Sequence, residues 1–227
     1  MSPDSLLLRR TVVCASGLIY WGGVLVQGRR IRRRIGRSPN LRPKGAREKA
    51  LWLGWFLVIL IWVGQPWLVK SDAATAGLAL VPGLLRPGSL VVGLVLLVLG
   101  YAGTLWAYAA MGDSWRIGID PRQQVTLVTS GPFRWVRHPI YLLQIVMLAG
   151  AALLLPTALS LIALVLHYVC VRLKTGDEEK HLAGIFGPAY HDYLSSTGGL
   201  FPRFDRRTSG SKQVAQPGSE YPRKNLF

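Results

Sequence analysis

The hydrophobic pattern of this chain comes in blocks rather than as amphipathic stripes. Residues 11–27 (TVVCASGLIYWGGVLVQ), 50–69 (ALWLGWFLVILIWVGQPWLV) and 89–111 (SLVVGLVLLVLGYAGTLWAYAAM) are near-continuous apolar runs. Each is close to the ~20 residues that cross a hydrocarbon layer as a helix. A fourth run extends from Tyr141 to Leu173, with Gln144, His167 and Arg172 as its strongly polar side chains. As one helix it would be about 50 Å long, well beyond a ~30 Å core. Pro156, followed by Thr157, sits near its middle. Proline breaks the helical hydrogen-bond ladder and disfavours helix in the residue before it. The pattern therefore predicts an all-α integral membrane protein with five transmembrane helices, the last two a hairpin broken near Pro156. Residues 73–85 are apolar but short and interrupted at Pro82, which predicts an interfacial segment or loop.

Charge sharpens this picture. The 227 residues include 27 Lys plus Arg against 11 Asp plus Glu, and half of all residues are hydrophobic. The charges bunch between the apolar runs, as they do in membrane proteins. A signal peptide is the competing reading of 11–27, but no small-residue cleavage site follows, and GRRIRRRIGR reads as a stop-transfer cluster. Between the first two runs lie Arg29, Arg30, Arg32, Arg33, Arg34, Arg37, Arg42, Lys44, Arg47 and Lys49, opposed by Glu48. The positive-inside rule makes this loop cytoplasmic. Alternation then puts the N-terminus outside and the 112–138 loop and the C-terminus in the cytoplasm. Arg9 and Arg10 pull the other way, and the basic 172–207 segment supports it. The 29–49 loop would attract anionic headgroups, and its place beside a span argues against nucleic acid as partner. Cys14 and Cys170 lie inside apolar runs and read as packing, with no metal-ligand spacing, so no metal is expected. One membrane-embedded domain over 1–204 is predicted, followed by a disordered tail at 205–227 that lacks a prenylation cysteine.

Under this topology two polar segments meet at the cytoplasmic face: GDSWRIGIDPRQQVTLVTSGPFRWVRHPIY (112–141) and RLKTGDEEKHLAGIFGPAYHDY (172–193). In the first, QVTLVTSG reads as an extended stretch and Gly131-Pro132 as a turn. Arg137 and His138 then start helix 4, with Pro139 in its first turn, where proline is tolerated. Free N–H groups and the positive helix end make this a seat for a carboxylate or phosphate. In the second, Lys174 and Glu178 are one turn apart if the fifth helix continues. On spacing alone Glu179 reads as a solvated helix end, and Glu178 fits either role. Arg137 fits either an anion site or a membrane-edge arginine with its stem in lipid. His167 reads as buried and hydrogen-bonded, and Trp52, Trp55, Trp62 and Trp67 as lipid-facing or interfacial belts.

These two segments resemble a known family. LVTSGPFRWVRHPIY is similar to the Gly-Pro-Tyr/Phe … Arg-His-Pro-x-Tyr motif of isoprenylcysteine carboxyl methyltransferases, and DEEKHLAGIFGPAYHDY to that family's second motif, paired glutamates followed by Phe-Gly-x-x-Tyr-x-x-Tyr. The resemblance spans roughly residues 112–204. It implies an integral membrane enzyme using S-adenosylmethionine, with a cytoplasmic cofactor pocket and a lipophilic acceptor reaching it from the bilayer. Carried over by position, Val125, Thr126, Leu127, Val128, Phe133, His138, Pro139, Ile140, Tyr141 and Glu178 would line the cofactor. Lys174 falls where the family has a basic residue near the acceptor. Leu143 stands where the family has glycine, which implies a narrower pocket or an altered acceptor. Gly187-Pro188-Ala189-Tyr190 replaces the usual Gly-Glu-Glu-Tyr.

The function this implies is methyl transfer to an isoprenoid-like or other lipid acceptor, or to a lipidated one, at the cytoplasmic face, as in protein-S-isoprenylcysteine O-methyltransferase. His138, Arg137 and Glu179 are the candidates for the chemistry. A carboxylate acceptor needs no general base, whereas an amine or phenol needs its proton removed, by His138, His181 or Glu179. Arg/Ala/Gly/Leu-rich usage suggests a bacterial inner membrane and hence a small isoprenoid, quinone-like or fatty acceptor. Two other functions compete. A membrane reductase would use a nicotinamide cofactor, for whose phosphates the 112–141 loop supplies few basic residues. A non-catalytic scaffold would recruit acidic partners through the 29–49 loop.

Overall fold

A computed structural model of the protein describes residues 3–36, 43, 45–69, 77–115 and 126–203. Residues 205–227, Arg37, Arg42, Lys44 and Val125 lie outside the described residues. Among the described residues six α-helices follow one another: α1 (Pro3–Ile35), α2 (Gly45–Leu68), α3 (Pro87–Met111), α4 (Pro139–Leu154), α5 (Ala158–Phe186) and α6 (Pro188–Ser196). No strand forms among the described residues, and residues 126–129, within the extended stretch expected before Gly131, take no regular structure. Gly131-Pro132 opens a one-turn 3₁₀ segment, Gly131–Arg134, with Gly131 at φ +59°.

Helices α1, α2, α3 and α5 are long and apolar enough to cross a membrane. Apolar side chains cover their outer faces too: Val91, Val98, Val165 and Trp67 are all more than 60% exposed. A helix apolar all round needs a non-aqueous surrounding. Helix α4 is apolar but has 16 residues, about 24 Å, so the expected fifth span is short of a full crossing.

Two helices outrun the sequence expectation for a physical reason. Arginine is a good helix former and favours the negative C-terminal end of the dipole. Thus α1 carries Arg29 to Arg34 within its last turns instead of releasing them into a loop. Helix α5 likewise continues through Glu178 and Glu179 until Gly187, at φ +52°, ends it and Pro188 starts α6.

The hairpin turns at Leu155-Pro156-Thr157, as the proline required. Thr157 caps α5, its hydroxyl accepting from Ser160 N at 3.0 Å and donating to Gln65 Oε1 at 2.8 Å. Gln65 Nε2 donates in turn to Ser160 Oγ. The apolar 77–85 segment lies against this turn, with Val81 N donating to Pro156 O at 2.8 Å. Arg9, which sequence alone set against the topology, is buried here and donates to the terminal carbonyls of α4, Leu154 O at 3.1 Å among them. It satisfies acceptors that a helix end leaves open. His167 is buried as expected, but neither ring nitrogen has a partner. One turn further on, Cys170 packs tightly over Gly54 of α2, so apolar packing dominates this stretch.

Helices α3 and α4 make the most extensive contact among the described helices, backbone to backbone at glycines. A Cβ on Gly150 would lie 2.8 Å from Gly93 O and 3.2 Å from Leu97 N. Small residues at such crossings let helices approach where lipid provides no hydrophobic drive. Gly150→Ala should therefore cost about 1–3 kcal/mol through overpacking. Gly22→Ala, into open space, should leave stability unchanged. Thermal unfolding in detergent checks the pair, and equal midpoints would refute the close crossing.

Candidate functional site

The site begins at the start of α4. His138 is the N-cap residue, at φ −124° and ψ 59°, and Pro139 occupies the first turn. The chain before it is pinned by residues from the far side of α6: Arg137 N donates to Gly198 O at 2.8 Å and His138 N to Gly199 O at 3.2 Å. Gly198 is required there, because a Cβ would fall 1.8 Å from Phe201 O. Tyr193 O–H secures the preceding turn by donating to Phe133 O at 2.6 Å.

With its backbone held, the charged pair turns toward α5. Arg137 Nε donates to Glu179 Oε1 at 2.9 Å, and its terminal nitrogen donates to Leu194 O at 3.3 Å and to Thr197 O. His138 Nε2 lies 3.1 Å from the same Glu179 oxygen, and His138 Nδ1 lies 3.6 Å from Glu178 Oε2. Glu178 Oε1 accepts from Tyr141 O–H at 2.9 Å and lies 3.9 Å from Lys174 Nζ. Glu179 is therefore ion-paired with Arg137 and within hydrogen-bond distance of His138, not a solvated helix end. Nearby, burial holds the phenol of Tyr190 well above its ordinary range, and the Glu179 carboxylate adds to the effect. Burial raises Tyr193 in the same direction.

This cluster forms one side of a cavity of about 460 Å³. Thr126, Leu127, Val128, Phe133, Arg137, His138, Pro139, Ile140, Tyr141, Lys174 and Glu178 all line it. Glu179 stands behind that lining. Leu143 is not brought to the cavity: its side chain fills the space over Gly103 of α3, where a Cβ would lie 2.6 Å from it. Leu142 and Leu143 line a separate depression, whereas Tyr141 and Gln144 line the cavity, so a narrowed acceptor pocket at Leu143 finds no support in the geometry.

The opposite wall is aromatic and was misread from sequence. Tyr20 and Trp21 of α1 and Trp52, Trp55, Phe56 and Ile59 of α2 line it. Trp55 is stacked with Tyr141, centroids 6.3 Å apart and planes 10° off parallel. Trp62, also expected to face lipid, is buried against Tyr20 and donates to Ser16 Oγ at 3.1 Å. Trp67 is exposed as expected. The signal was available: 52, 55, 56 and 59 fall at i, i+3, i+4 and i+7, one face of a helix. Trp52 and Phe56 line the cavity while remaining substantially exposed on the outer face of α2, so the cavity borders the lipid-facing surface. Three buried donors on cavity-lining residues, Trp21 Nε1, Trp55 Nε1 and Tyr190 O–H, have no protein partner. Unpaired buried donors are costly, and a bound polar molecule would satisfy them.

A cavity with ionised groups on one wall and aromatic rings on the other can hold a charged molecule and an apolar one together. Residues 89–189 match the family model of phospholipid methyltransferases. That segment is similar to a family of membrane methyltransferases. It runs from α3 into α6 and carries Arg137, His138, Tyr141, Lys174, Glu178 and Glu179. Over 114 residues the chain is 35% identical to the cobalt-zinc-cadmium resistance protein CzcN of Cupriavidus metallidurans, covering 48% of this chain and 50% of that protein. Over 130 residues it is 27% identical to the nickel-cobalt-cadmium resistance protein NccN of Alcaligenes xylosoxydans xylosoxydans, covering 57% of each. The chain thus spans about half the length of the curated relatives it matches. The aromatic wall from α1 and α2 lies outside the matched segment, which supplies the ionised one.

The strap from Gly198 is testable apart from any activity. Gly198→Ala should displace residues 198–199 from Arg137 and His138 and speed proteolytic cleavage after α6. Gly199→Ala, whose Cβ meets Arg137 at an ordinary 3.4 Å, should do so far less. Limited proteolysis with mapped fragments checks this, and equal cleavage rates would contradict it.

Proposed function

We propose that this protein is an S-adenosylmethionine-dependent methyltransferase acting on a lipophilic acceptor, an isoprenoid-like or other lipid, at the cytoplasmic face of a bacterial inner membrane. The observation that carries this reading is the shared cavity, with Glu178, His138 and Arg137 on one wall and Trp21, Trp55 and Phe56 on the other. In this topology α4 is a short crossing that makes five with α1, α2, α3 and α5, the N-terminus is outside, and the cavity end of the bundle, where α1 carries five arginines, is inside.

The residues present fit the cofactor. About 460 Å³ falls within the usual range for small-molecule sites. Glu178 would take the ammonium of its amino-acid end, with Tyr141 O–H and Lys174 beside that carboxylate. The stacked rings of Tyr141 and Trp55 would face a cationic sulfur, which aromatic faces attract. When bound, S-adenosylmethionine supplies a methyl group already activated on sulfonium.

The remaining work belongs to the protein. Glu179 fixes the guanidinium of Arg137 and the ring of His138, so it is a positioning residue that keeps the ionised wall assembled. The aromatic wall excludes water and aligns the acceptor, which is where catalysis of such a displacement lies. A carboxylate acceptor would react as it stands. An amine or phenol acceptor would hand its proton to His138 or His181, both of which line the cavity.

Calorimetric titration of the detergent-solubilised protein tests the proposal. Heat is expected with S-adenosylmethionine and S-adenosylhomocysteine, and none with NADPH. Glu178→Gln and Tyr141→Phe should each weaken binding about tenfold or more, the loss of one charge-assisted hydrogen bond. No heat with either methyl-cycle ligand, or unchanged affinity in both variants, would contradict it. The metal-resistance names of the two relatives suggest the physiological companion assay, growth of a strain lacking this protein on cobalt, zinc or cadmium salts.

A further inference from the structure

A second depression lies on the other side of α4. It encloses about 590 Å³ and is floored by Gly103 of α3 and by Leu142 and Leu143 of α4. Trp106 and Trp135 wall it, their centroids 5.7 Å apart, and both are more than 40% exposed. Trp106 is five residues, about 7 Å, inside the end of α3, the depth at which tryptophan marks a membrane–water boundary.

The rim is cationic. Arg203 lines the groove and remains exposed, with one nitrogen donating to Ser195 O at 2.9 Å. Arg134, also exposed, sits over the Trp135 ring at 5.8 Å. Neither forms an ion pair among the described residues. An apolar floor with a tryptophan pair at interfacial depth and two exposed guanidinium groups above it matches one chemistry: an acyl chain carrying an anionic head.

We propose that this groove binds a phospholipid with an anionic headgroup, at a site separate from the cavity. The chain lies over Gly103, Leu142 and Leu143, and the phosphate sits between Arg134 and Arg203. The first turn of α4 is the shared wall, since Pro139 lines both spaces. An occupied groove therefore braces the turn that presents His138 and Tyr141 to the cavity. Leu143 also gains a role here: it fills the space above Gly103 and gives the groove a continuous apolar floor. The inference does not depend on the reaction proposed above, because it rests on the opposite face of α4.

Native mass spectrometry of the full chain in detergent tests it. The probes are phosphatidylglycerol and phosphatidylcholine with identical acyl chains. Wild type should retain one phosphatidylglycerol in preference to phosphatidylcholine by about tenfold, as two surface arginines imply. The double variant Arg134→Ala/Arg203→Ala should lose that preference, and Leu142→Trp, which fills the floor, should lower retention of both lipids. Arg29→Ala/Arg30→Ala, at the end of α1, should keep the preference. The proposal is overturned if the groove variants bind like wild type, or if the α1 variant loses the preference as fully as they do. The second result would assign selectivity to diffuse charge.

Discussion

The ion-paired node at Glu179 is the constraint on which the rest of the site depends. Its carboxylate holds both the guanidinium of Arg137 and the ring of His138, so the start of α4 and the far end of α5 become one unit. Charges this close to the interior are costly to desolvate and are tolerated only while every partner is present. The strap from Leu194 to Gly199 completes the set, supplying carbonyls to Arg137 and to the two backbone N–H groups. Because Glu179 is consumed in holding this geometry, Glu178 is left facing the cavity, where Tyr141 and Lys174 set its direction.

The surrounding apolar mass imposes the complementary rule that polar groups away from water need internal partners. At the end of the bundle opposite the site, Thr157, Gln65 and Ser160 satisfy one another around the hairpin turn, and Arg9 takes up the last carbonyls of α4. These contacts fix where α4 ends, and glycine contacts with α3 fix how closely it packs. Helix α4 is thereby set at both ends, by these contacts at its last turn and by the Glu179 node at its first. Polar atoms left unpaired are the exceptions, and several of them, on Trp21, Trp55 and Tyr190, belong to cavity-lining residues.

Much of this could be read from sequence where a single physical cause dominates. Pro156 announced the hairpin, Pro139 the start of α4, and the apolar blocks the long helices. The meeting of the 112–141 and 172–193 segments followed from the alternation of the apolar blocks. What escaped were outcomes that depend on which neighbour a side chain meets. Trp55 and Trp62 share one apolar helix, yet one stacks on Tyr141 and the other buries against Tyr20. Leu143 differs from the family pattern, but its direction is set by the approach of Gly103 on α3, which no local pattern encodes. The spacing of Glu178 and Glu179 likewise gave no sign of which would be bound by Arg137.

The central claim is that one cavity joins the segment similar to phospholipid methyltransferases to the aromatic wall of α1 and α2. Direct ultraviolet cross-linking of S-adenosylmethionine carrying a labelled methyl group to the wild-type protein, followed by peptide mapping, tests it most directly. Label is expected on peptides containing Tyr141 or Tyr190 and on the α2 peptide containing Trp55, and excess S-adenosylhomocysteine should remove it. Label confined to segments outside the cavity, or undiminished by the competitor, would contradict the claim.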